Sequence, residues 1–137
     1  MILVDTNVWS EALRAQPDAR VVEWAHIHSD NLWLSTVVLA ELLSGAHMLP
    51  EGLRKQAFLE SYHALVESHI DRIAVFDLAA ARHYGPLVAT LEKAGRNPGT
   101  ADAQIAATAK ARGMAIATRN ERDFEGLGLR LINPWSG

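Results

Sequence analysis

The chain has 137 residues, 49% of them apolar and 21% charged, and no cysteine. That length and composition suit one self-sufficient core spanning residues 1–137, and the lack of thiols excludes a disulfide scaffold, a zinc ribbon and a cysteine nucleophile. Thirteen Lys and Arg against sixteen Asp and Glu leave a net charge of -3, so no overall positive field draws in nucleic acid, and any such partner must be held locally.

Ile2-Leu3-Val4 is a short apolar run ending at Asp5, which predicts a buried strand feeding a loop through the turn formers Thr6 and Asn7. Pro17-Asp18 opens a helix whose apolar face carries Val21, Val22, Trp24, Ala25 and Ile27, and Leu32-Trp33-Leu34 is the next strand. Ser35-Thr36 caps a helix over 37–48, and Pro50-Glu51-Gly52 separates it from a second helix over 53–67. A strand over 73–76 leads to Asp77 as the cap of a helix reaching about residue 93. After a loop over 95–99, a further Ala-rich helix runs from 101 to 112. Gly113 ends it, 114–117 and 129–132 are the last strands, and 118–123 turns into a short helix between them. Strands that are apolar throughout, alternating with helices, predict an α/β class. The expected form is a three-layer α/β/α fold with a five-stranded, mainly parallel sheet. No apolar run reaches the roughly 20 residues of a membrane span, and no signal peptide is evident, so a cytoplasmic, membrane-free setting is expected.

Ligands of such sheets bind beyond the carboxyl ends of the strands. Four carboxylates stand where they can face that crevice: Asp5 after the first strand, Glu41 on the third helix, Asp102 in the first turn of the Ala-rich helix, and Asp123 after the fourth strand. Each alone has a plain explanation. Asp5 can cap the segment after it, Glu41 falls off its helix's apolar stripe, Asp102 gains from the helix dipole, and Asn120 with Asp123 has the spacing of a capping box. Together they share a chemistry, because several carboxylates within a few ångströms repel one another unless a divalent cation lies between them. Hard oxygen donors suit Mg²⁺ or Mn²⁺, and such a cation activates water against a phosphodiester.

Asp5-Thr6-Asn7, the segment from Ser35 to Glu41, the segment from Ala101 to Ala109, and the segment from Ala117 through Asn120 and Asp123 to Gly126 resemble, in order and spacing, the motifs of PIN-domain ribonucleases. Within that family the chain looks most like the VapC and FitB toxins, and its closing stretch from Asp123 to Trp135 is similar to the FitB-like branch. The resemblance implies a magnesium-dependent endoribonuclease acting as the toxin of a VapBC/FitAB-like pair. Asp5, Glu41, Asp102 and Asp123 would be its catalytic and metal-binding acids, Asp5 and Asp102 foremost as ligands. Thr6, Asn7, Thr118 and Asn120 would support the site by hydrogen bonds. It further implies an RNA substrate, a cognate VapB/FitA-like antitoxin and a homodimer.

Arg119 and Arg122 flank Asn120 and are the candidate substrate-phosphate contacts. The six histidines are too scattered to form a metal site, and the four tryptophans read as core or interface anchors. Two alternatives stand beside the nuclease. One is a non-catalytic binding module of the same fold, disfavoured by retention of all four acids. The other is a phosphoaspartate receiver or phosphatase, disfavoured because the residues after the first strand are Asp5-Thr6-Asn7 and not an acidic pair or Asp-x-Asp.

Overall fold

The computed structural model describes residues 1–136. Ile2, Leu3 and Val4 form β1 (Ile2–Val4), and all three are buried. Successive strand side chains point to opposite faces, so this burial requires both faces of the sheet to be covered. β1 is the central strand. On one side lie β2 (Leu32–Ser35) and then β3 (Ile73–Ala74), and on the other β4 (Ala115–Ala117) and then β5 (Leu131–Ile132), giving the order β3-β2-β1-β4-β5. Every pairing is parallel, with Val4 in register with Leu34 and with Ala117, so the sheet expected to be mainly parallel is wholly so among the described residues.

Among the described residues six α-helices accompany the sheet: α1 (Thr6–Ala12), α2 (Ala19–Ile27), α3 (Thr36–His47), α4 (Leu53–Ser68), α5 (Leu78–Lys93) and α6 (Thr100–Arg112). The chain steps outward from β1 to β3 and then returns across the sheet to β4. Right-handed crossovers therefore put α1 to α4 on one face and α5 and α6 on the other. This is the expected three-layer arrangement. Its strand order reverses between β1 and β4, which is where a parallel sheet opens a crevice.

Three local expectations change. Thr6 and Asn7 do not form a loop; they open α1, because the Asp5 side chain accepts the amide of Thr6 and Val8 and Trp9 gain burial on the helix. The strand expected over 73–76 ends at Ala74, with Val75 turned outward and 48% exposed. At 129–132 only Leu131 and Ile132 pair. The capping expectations for Ser35 and Asp77 hold: Ser35 Oγ accepts from the amides of Val37 and Val38, and Asp77 Oδ1 accepts from that of Ala80. Gly113 ends α6 in the left-handed conformation at φ 64°, which favours glycine.

Candidate active site

Asp5 sits where β1 becomes α1, at the point of strand reversal, and is only 4% exposed. Its carboxylate is held from three directions. Oδ1 accepts from the Thr6 amide at 2.8 Å, and Oδ2 accepts from Thr118 Oγ1 at 2.8 Å and from Asn7 Nδ2 at 3.2 Å. Thr118, fully buried just after β4, accepts in turn from the Asn120 amide at 3.0 Å, while Asn7 Oδ1 accepts from the Arg119 amide at 3.1 Å. The ends of β1 and β4 are thus tied together by side chains that also fix Asp5. Thr6 Oγ1 donates to Glu41 Oε1 at 2.7 Å, bringing the exposed Glu41 of α3 to the same place.

Asp5, Glu41 and Asp102 line one open cleft of about 500 Å³, together with Thr6, Asn7, Ser10, Glu11, Arg14, Arg119, Asn120 and Trp135. Asp123 is exposed on the 3₁₀ turn Glu121–Phe124 and does not line the cleft, but its charge reaches both Asp5 and Asp102. Asn120 makes no side-chain cap to that turn, so the capping-box explanation of Asp123 fails. Arg119 lines the cleft as expected. Arg122 does not: its side chain is exposed on the turn, and its carbonyl accepts from Arg96.

The electrostatics single out Asp102. Its place in the first turn of α6 favours the charged form, yet its carboxyl is pushed up from 3.8 to about 6. Partial burial is the first cause, followed by the like charges of Asp5, Asp123 and Glu41. Asp5 is also raised, chiefly by burial, with the Thr118 and Thr6 hydrogen bonds working the other way. Among the described residues no three carboxylates or histidines converge into a closed metal cage. The donor set nevertheless fits Mg²⁺, which takes one or two carboxylates directly and keeps several waters. Asp5 and Asp102 would supply the hard oxygens, and a divalent charge between them would relieve the repulsion that Asp5 exerts on Asp102.

Glu11, Arg14 and Trp135 belong to the cleft but were not singled out as site residues in the sequence. Glu11 lies between the first strand and Pro17, where the sequence predicts a loop and no helix, and in the structure its buried carboxylate accepts the Asp18 amide. Trp135 follows the last strand, and its place under Arg119, whose guanidinium carbon lies 5.0 Å from the ring centroid, has no signal in the sequence.

A family model described as "PIN domain" matches residues 2–128. The chain is 41% identical over 98% of its length to the plasmid stability protein StbB of Pseudomonas syringae, covering 99% of that protein. It is 40% identical to a VapC ribonuclease of Sinorhizobium fredii, with 98% of each covered. A crystal structure of FitAcB from Neisseria gonorrhoeae superposes with a TM-score of 0.88 at 36% identity, over 98% of this chain and 99% of that one.

Proposed function

The chain belongs to the PIN-domain family, and from that premise we propose that it is a metal-dependent endoribonuclease and the toxin of a VapBC/FitAB-like pair. The observation that carries the reading is that Asp5, Glu41 and Asp102 line one cleft, with Asp5 held by Thr6, Asn7 and Thr118 and Glu41 held by Thr6.

Mg²⁺ or Mn²⁺ bound by Asp5 and Asp102, with Glu41 and Asp123 nearby, would neutralise charge developing on the phosphoryl oxygens and lower the pKa of water at the scissile phosphodiester. The protein's own part is positional. Thr118, Asn7 and the Thr6 amide hold Asp5 in one orientation, so its carboxylate needs no rearrangement before the reaction. Thr6 anchors Glu41 at the mouth of the cleft, where its free oxygen can accept a proton from water.

Restraint of such an enzyme calls for an inhibitor. A guanidinium or ammonium inserted among Asp5, Glu41 and Asp102 would be strongly held. Next to Glu41, a groove of about 220 Å³ between α3 and α4, lined by Leu42, Ala46, Leu49, Phe58 and Tyr62, suits an apolar segment of a VapB/FitA-like antitoxin.

Purified protein with Mg²⁺ or Mn²⁺ should cut single-stranded RNA to 5′-phosphate ends, and EDTA or Asp102→Asn should abolish cutting. Cleavage that survives both refutes the reading. Loss of toxicity on co-expression with the neighbouring small gene tests the toxin role separately.

A further inference from the structure

The acidic cleft of a protein with net charge -3 repels a polyanion, so substrate needs local cations. Arg14 and Arg119 are the only lysine or arginine residues lining that cleft among the described residues, and each is held by a different device. Arg14, just beyond α1, places Nη1 at 3.2 Å and 3.3 Å from the two oxygens of Glu11, whose Oε2 also accepts from the Asp18 amide at 3.1 Å. The Glu11 side chain is 10% exposed and that of Arg14 is 62% exposed, so the anchor is buried while the guanidinium faces water. With Nη1 engaged, the Nη2 and Nε edge of Arg14 remains open. Arg119 lies over the buried Trp135 ring, and its guanidinium makes no hydrogen bond among those of the described residues, leaving all five donors available. The Arg119 backbone amide is tied to Asn7, one residue from the loop's other contact with Asp5 through Thr118.

Glu11 has a structural task in accepting the Asp18 amide, and its contact with Nη1 in addition fixes the exposed Arg14 guanidinium at the cleft. We infer that Arg14, positioned by Glu11, and Arg119, positioned by Trp135, form a phosphate-binding subsite for the single-stranded RNA backbone flanking the acidic centre. This rests on the ribonuclease reading above. Planar guanidinium groups held in advance can take phosphate oxygens in pairs, and they lose little freedom in doing so.

The test is fluorescence anisotropy with a short fluorescein-labelled oligouridylate in EDTA, where binding is read without turnover. Arg14→Gln and Arg119→Gln should each weaken binding about tenfold and lower the slope of log affinity against log salt by about 0.7, the value for one single-strand phosphate contact. Arg14→Lys should restore the slope but not the full affinity, because a point charge replaces a fork. Arg82→Gln removes the same charge from the exposed surface of α5 and should change neither quantity. Wild-type affinity in either cleft variant, or an equal loss in Arg82→Gln, overturns the subsite. Because no cleavage is needed, a chain that binds as described yet never cuts RNA would lose the enzymatic reading and keep this one.

Discussion

At the scale of single residues, Asp102 and Thr118 carry the clearest consequences. Asp102 holds its proton to about pH 6 in the folded chain, against 3.8 as its ordinary value. Folding therefore takes up a proton between about pH 4 and pH 6, and the cost of carrying the charge is absent below that window and complete above it. Asp102→Asn should accordingly stabilise the metal-free protein at pH 7.5 by on the order of 1–3 kcal/mol and give no gain at pH 4, which denaturant titration in EDTA at the two pH values will check. Saturating Mg²⁺ should raise the Tm of the parent protein and leave the variant almost unmoved. Thr118→Val keeps the shape and removes the hydroxyl that donates to Asp5, so it should cost about 1–3 kcal/mol. It should also move the acid limb of the activity–pH profile to higher pH, since that hydrogen bond lowers the Asp5 pKa. Asp5, Glu41 and Asp102, which the structure brings to one cleft, could be picked out in the sequence by their places after a strand or on a helix, whereas Asp123, picked out in the same way, stands on a turn outside it. Glu11 could not be picked out, because its burial depends on a backbone amide seven residues away.

At the scale of elements, capping decides what the sequence reveals. Ser35 announces α3, and its hydroxyl accepts two amides as expected. Ser35→Ala should cost about 0.5–2 kcal/mol and, by loosening the turn that carries Glu41, lower activity more than Tm suggests; paired melting and cleavage assays separate the two effects. α1 was hidden by its own start. Asp5, Thr6 and Asn7 are all turn formers, and seven residues are too few for periodicity to speak against a loop. What settles it is tertiary: Val8, Trp9 and Glu11 are buried, and no local pattern announces that. The shortening of β3 and β5 has a similar origin. An edge strand extends only as far as its neighbour continues the ladder, and the sequence does not say who the neighbour is.

At the scale of the whole molecule, the α/β class follows from apolar strands between helices, while the order β3-β2-β1-β4-β5 does not, since nothing local tells β4 to pair with β1. Exposed Met48, Leu53, Ile70, Val75 and Leu78 leave apolar surface that a second copy can cover, and we expect a homodimer; a monomeric mass by light scattering at micromolar concentration would remove that expectation. The central position of β1 has a consequence in time. Asp5 is made more than a hundred residues before its partner Thr118 and the Trp135 beneath Arg119. At roughly 5–20 residues per second, the nascent chain spends several seconds as separate fragments of a cleft. Throughout that interval the Asp5 carboxylate lacks the Thr118 hydroxyl that orients it and Arg119 lacks the ring it lies over, so the cleft takes shape only when these later segments reach β1 and α1.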